Sequence, residues 1–253
     1  MRSLSWRHLG IVKPQLEICA ETLQACSTAA EGGADRIEIC SALSEGGLTP
    51  SHALIRGAIE AAQGLPVYVL LRPRPGNFVY TDEEFGIICE DLEHAKNLGA
   101  AGFVTGVLTE QHTVDESRMR AIVLLAKDKE VTFHRAFDHT TNVSDSLEQV
   151  IAVGCGRLLT SGGKPSVRQG MSTIAELARQ ARGRIRIAAG GGVSAGVAAK
   201  LRRMATVDLH ASLRHRIQPE DSTSQDPLWS RGHESFEVLA SHVRELAAIV
   251  RSS

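Results

Sequence analysis

Neither sign of charge prevails in this chain: 28 Lys and Arg stand against 29 Asp and Glu, a balance of −1. Without an electropositive field nothing steers the protein to nucleic acid or to an anionic membrane, and neither is expected as a partner. Long apolar runs are also missing. The longest are strand-sized, such as Val67 to Leu71 and Ile185 to Ala189, far below the roughly 20 residues of a bilayer span. Met1 to Gln15 carries Arg2, Arg7, His8 and Lys13 but no apolar core segment and no small-residue cleavage site, so no secretory signal is expected there. Cysteines are few and odd in number. Cys19, Cys26, Cys40, Cys89 and Cys155 lie scattered along the chain, which argues against a disulfide framework and for a reducing, cytoplasmic setting.

What is present is a rhythm. Short β-branched runs alternate with helical patterns: Leu16 to Ala20, Ala34 to Cys40, Pro66 to Arg72, Gly102 to Leu108, Glu130 to Phe137, Arg157 to Ser161, Arg184 to Ala189 and Val207 to Ser212. Between them lie amphipathic segments such as Asp82 to Leu98, where Phe85, Ile88, Leu92 and Ala95 recur at spacings of three and four. Strict βα alternation implies parallel strands with right-handed crossovers, and eight units favour a closed (β/α)8 TIM-type barrel over an open doubly wound sheet. At 253 residues one such barrel is an ordinary single domain, with a core large enough to need no structural metal. The expected organisation is a disordered extension over residues 1–15 and a barrel over 16–253, ending in a helix from Phe236 to Val250. A polar stretch, Gln218 to Gly232, reads as a surface loop.

In such a barrel the chemistry gathers at the C-terminal strand ends. The side-chain period of two puts Ile18, Ile37 and Ile39 on one face of the first two strands and Glu17, Cys19, Glu38 and Cys40 on the other. With the isoleucines toward the helices, both Glu-x-Cys pairs face the lumen. Because consecutive strands are usually neighbours, Cys19 and Cys40 can offer two soft sulfurs to a cuprous ion, the competing reading being simple packing. Glu17 and Glu38 lose hydration there and need a cation or a raised pKa, met either by a salt bridge to Arg36, Arg72 or Arg74 or by an acid/base role. Arg72 and Arg74, after the third strand, are candidate anion binders. His134 falls on the face opposite Phe133 and Phe137, as a lumen base, a ligand or a hydrogen-bonded core histidine. With carboxylates around it, its imidazolium form would be favoured. The Gly190, Gly191 and Gly192 turn allows close backbone approach to a ligand, with Ser194 able to cap the next helix, and His210 and Ser212 share one face near the mouth.

Leu16-Glu17-Ile18-Cys19, the run from Gly33 to Cys40, Ser44 to Pro50, Thr132 to Asp138, Leu159 to Gly162, Ala189 to Val193 and His210 resemble, in order, the motif set of the CutC copper-homeostasis family. Pro75 and Asn77 depart from that family's Arg-Pro-Arg-Gly-Gly-Asp-Phe pattern, and Pro75 removes a backbone donor from the loop. The resemblance implies a cytoplasmic barrel, often homo-oligomeric, linked to copper, with Cys19 and Cys40 at the positions of the family's copper cysteines. Two functions stay open: a protein that binds cuprous ion through Cys19 and Cys40, and a barrel enzyme acting on a small anionic or phosphorylated substrate. The enzyme would use Glu17, Glu38, His134 and His210, with Arg72, Arg74, Gly190, Gly191, Gly192 and Ser212 binding the anion.

Overall fold

The computed structural model describes residues 13–217 and 235–252. Eight parallel strands close on themselves in sequence order: β1 (Leu16–Ala20), β2 (Arg36–Ile39), β3 (Val67–Leu70), β4 (Gly102–Thr105), β5 (Glu130–Phe133), β6 (Arg157–Thr160), β7 (Arg186–Gly190) and β8 (Asp208–Ala211). The seam is made by β8 against β1, with Glu17 opposite His210. Helices α1 (Leu23–Glu31), α2 (His52–Ala61), α3 (Asp82–Asn97), α4 (Glu116–Ala126), α5 (Val143–Ala152), α6 (Val167–Ala181) and α7 (Ala195–Arg202) follow the first seven strands, and α8 (Ala240–Arg251) closes the ring. The expected (β/α)8 barrel is thus the observed fold.

The alternation along each strand divides the core in two. Ile18, Ile37, Ile39, Val69, Phe103, Phe133, Leu158, Ile187 and Leu209 are buried in the large layer between strands and helices. Cys19, Cys40, Leu70 and Val104 form a separate cluster inside the barrel. Helix boundaries follow local capping. Thr81 accepts the Glu84 N–H while the Glu84 side chain accepts the Thr81 N–H, a capping box that starts α3.

Most strands are a few residues shorter than expected, β4 for example ending at Thr105 and not Leu108, and three further differences have a local cause. β5 stops at Phe133, not Phe137, because the His134 side chain accepts the Ala136 N–H and caps a short 3-10 turn over Arg135–His139. The last helix begins at Ala240, not Phe236. Ser235–Val238 is instead a strand, β10, paired antiparallel with β9 (Arg214–Ile217), and the Arg214 guanidinium lies 3.7 Å over the Phe236 ring. Finally, Gln15, placed in the expected extension, is tied to β8: its N–H donates to Asp208 and its carbonyl accepts from Leu209. Residues 1–12 of that extension, and the loop expected over Gln218 to Gly232, lie outside the described residues.

Candidate functional site

The lower lumen is a buried ionic layer. Arg36 donates to Glu17 at 2.5 Å and to Glu130, across the barrel on β5, at 2.7 Å. Arg157 and Arg186 both engage Asp208, at 3.0 and 2.6 Å. Three guanidinium groups are therefore matched by Glu17, Glu130 and Asp208. Glu17 is completely buried. Burial alone would raise its pKa, but Arg36, Arg157 and His210 outweigh it and hold the carboxyl well below the usual carboxylate range. Neither Arg72 nor Arg74 takes part, contrary to one expected pairing, because both leave the barrel wall above β3.

One layer higher, His210 Nδ1 lies 2.7 Å from Glu17 Oε1 and 4.0 Å from Glu38 Oε2. Burial works against its charge, but Glu38 and Glu17 prevail and its pKa is raised. The Glu38 pKa is raised too, chiefly by burial, with His210 opposing. Cys19 Sγ donates to Glu38 Oε1 at 3.5 Å and stands 3.6 Å from Cys40 Sγ. The neighbouring Cys40 sulfur, burial and the Glu38 charge push the Cys19 thiol well up, so it is protonated at neutral pH. The ligand atoms of Cys19, Glu38 and His210 lie within 4.8 Å of one another.

These side chains floor a cavity of ≈ 340 Å³ at the C-terminal mouth. Arg72, Phe78, His134, Arg135, Gly191, Gly192 and Ser212 also line it. Gly106 makes room for the imidazole, since a Cβ there would lie 2.6 Å from His134 Nδ1. His134 is not among the carboxylates, as its expected imidazolium character required. They gather around His210, while His134 packs edge-on against Phe78, 4.9 Å between centroids. Burial and the Arg72 charge bring its pKa down to about 3. Since Nδ1 accepts from Ala136 N–H, the ring proton sits on Nε2, and Nε2 has no partner among the described residues.

Arg72 is buried, and its two terminal nitrogens donate to the carbonyls of Glu45, Gly47 and Gly76. Arg74 does not line the cavity. It is held by Glu84 at 2.5 Å and by the carbonyls of Asn77 and Val79. Gly190 lies behind the lining, where a Cβ would meet Leu159 and His210. Ser194 caps α7 by accepting the Val197 N–H. All five cysteines are unpaired, and Cys26 and Cys155 belong to the helix-side core. Arg36 was an expected partner of Glu17 and is one, but Glu130, Arg157 and Asp208, the rest of the ionic layer, are what sequence reading passed over. Its signal was present: Arg36 shares the lumen-facing parity of Glu38, and Asp208 that of His210. Arg135 was also missed as a lining residue. It is set by Asp138, which it meets at 2.9 Å and which in turn accepts from Thr160, Ser161 and Gly163.

The sequence model of the CutC family matches residues 14–215. A CutC family protein of Xylella fastidiosa (strain Temecula1) is 43% identical over 211 residues, 83% of this chain and 79% of its own length. One from Pasteurella multocida is 42% identical over 199 residues, covering 78% and 81%. Among solved structures, a copper homeostasis protein CutC from Streptococcus agalactiae superposes with a TM-score of 0.75 at 31% identity, over 79% of this chain and 98% of that one. A solved aldolase, QR15, shares the fold with a TM-score of 0.62 at 14% identity, covering 80% of this chain and 91% of its own.

Proposed function

Since this chain belongs to the CutC family, we propose that it is a cytoplasmic copper-homeostasis protein that holds cuprous ion at the C-terminal mouth of the barrel, between Cys19 and Cys40. The observation that carries this reading is the 3.6 Å between the two sulfurs, brought together by β1 and β2 and packed against Leu70 and Val104. Thiolates are soft donors and favour a soft monovalent ion over hard divalent ones. The alternative donor set, Cys19, Glu38 and His210, is the one a borderline divalent ion would choose. In that set His210 is already engaged with Glu17 at 2.7 Å, and both sets need the Cys19 thiol to give up its proton to the metal. Five free thiols fit a reducing compartment, and no helix among the described residues is long and apolar enough to cross a membrane.

The test is an anaerobic titration of the reduced protein against a chromophoric cuprous chelator. The parent is expected to hold one equivalent that Cys19→Ser with Cys40→Ser removes, while Cys89→Ser, on the helical face of α3, changes nothing. Undiminished copper in the double variant would move the site elsewhere. A preference for zinc over cuprous ion would transfer the argument to the Cys19, Glu38 and His210 set.

A further inference from the structure

The wall of the cavity that carries Arg72 and His134 is built for a different ligand. Its charges do not balance. In the lumen below, Arg36, Arg157 and Arg186 are matched by Glu17, Glu130 and Asp208, and His210 is faced by Glu38. At the rim, Arg135 pairs with Asp138 and Arg214 with Glu21. Arg72 alone among the cationic lining residues has no carboxylate within ion-pair distance among the described residues, though it is only 5% exposed. The carbonyls of Glu45, Gly47 and Gly76 orient its guanidinium, but carbonyl dipoles do not cancel a unit charge. A buried, unmatched cation is costly unless something anionic joins it.

Beside Arg72 stands an equally unusual donor. His134 is 6% exposed, its Nδ1 is taken up by the Ala136 N–H, and its Nε2–H is left without a partner. Phe78 joins the two: the Arg72 guanidinium carbon lies 5.0 Å from its ring centroid, and the His134 ring meets it edge-on. This apolar plate keeps water from one side of both groups. A pre-oriented neutral N–H donor next to an unmatched cation in a low-dielectric wall is a receptor for an oxygen anion.

We propose that this wall binds the carboxylate of a small organic acid, with His134 Nε2–H donating to one oxygen and Arg72 supplying the balancing charge. The ligand is a monoanion because a single positive charge is unmatched. A phosphate dianion buried there would carry an excess negative charge toward Glu38. The ligand is larger than a bare ion, because ≈ 340 Å³ lies within the range of small-molecule sites. The remainder of such an acid extends across the cavity toward Cys19, Glu38 and His210. The protein therefore has an organic ligand of its own, independent of whether the sulfurs hold copper.

The full-length protein, freed of metal by chelation, is titrated with straight-chain monocarboxylates from propionate to hexanoate, the matched primary amides, and inorganic phosphate at constant ionic strength. Thermal stability and the ring ¹H–¹⁵N signals of His134 are followed together. The expected result is that carboxylates raise the melting temperature and shift the His134 Nε2–H signal, with the amides weaker by about tenfold or more. Arg72→Met is expected to abolish the preference of carboxylate over amide. Should that variant not fold, Arg72→Lys, which keeps the charge, must retain the preference, and His134→Leu must lose about tenfold in carboxylate affinity. The proposal is overturned if neither signal responds at about 50 mM carboxylate, if amides or phosphate bind as well as carboxylates, or if the preference survives Arg72→Met or affinity survives His134→Leu. Because copper is excluded throughout, these outcomes are separate from those of the cuprous titration.

Discussion

His134 and His210 enter the same cavity, and their surroundings drive them in opposite directions. His210 faces two carboxylates and its pKa is raised. Burial and the Arg72 charge bring the His134 pKa down to about 3. The difference has a consequence for acid stability. As pH falls below 6.5, the unfolded imidazole of His134 takes up a proton that the folded one refuses until about pH 3. The unfolded state then binds more protons, so stability drops across that window, by an upper bound of about 5 kcal/mol. His210 works the other way: its contribution is complete below pH 6.5 and fades as pH rises through its raised folded pKa. Comparing His134→Gln with the parent cancels the His210 part. Urea unfolding at intervals from pH 7 to pH 4 should show the parent losing stability faster than the variant, and superimposable curves would mean that His134 is solvated and protonates freely.

At the scale of elements, the cavity rim depends on how closely α6 approaches the turn after β6. Gly170 lies inside α6, where a Cβ would stand 1.8 Å from the Ser161 carbonyl oxygen and 3.1 Å from Gly162 Cα. Backbone cannot yield as a side chain does. That close approach supports the turn in which Ser161 and Gly163 donate to Asp138, and through Asp138 it sets Arg135 at the rim. Gly86, in α3, has nothing within 4 Å of an added Cβ. Gly86→Ala is therefore expected to stabilise by up to about 1 kcal/mol through helix propensity, and Gly170→Ala to destabilise by on the order of 3 kcal/mol through overpacking. Equilibrium denaturation of the two variants checks the contrast, and equal effects would refute the packing argument. The β9–β10 hairpin shows how an element escapes sequence reading. Phe236 and Val238 read equally well as the first turn of a helix, and only the partner strand, starting at Arg214 and followed by an intervening stretch, makes them a strand.

For the whole molecule, barrel closure rests on the ionic layer as well as on the apolar shell. Asp208 on β8 answers Arg157 from β6, which is completely buried, and Arg186 from β7, and it accepts the Gln15 N–H beside the seam. Asp208→Asn keeps the shape but leaves two guanidinium groups without a counter-charge, an expected loss of about 3–5 kcal/mol. Chemical denaturation with an unchanged slope would show that the loss is in stability and not in the compactness of either state. A cost below about 1 kcal/mol would mean that the layer is solvated.

The eight strands, their parallel order and the division of each into a helix-facing and a lumen-facing side were determined by the sequence itself. Strand alternation and βα rhythm are local properties, and their number favoured closure over an open sheet, which the pairing of β8 with β1 decides. The approach of Cys19 to Cys40 was legible for the same reason, since it needs only two consecutive strands. Which lumen residues share a level was decided by the tertiary structure alone. That depends on the stagger of the strands around the ring, which pairs Arg36 on β2 with Glu130 on β5 and brings His210 from β8 to Glu17 on β1. The same stagger carries the carboxylates to His210 and leaves His134 neutral beside Arg72. Charge in a closed barrel is distributed by distance across the lumen, and no period along the chain encodes it.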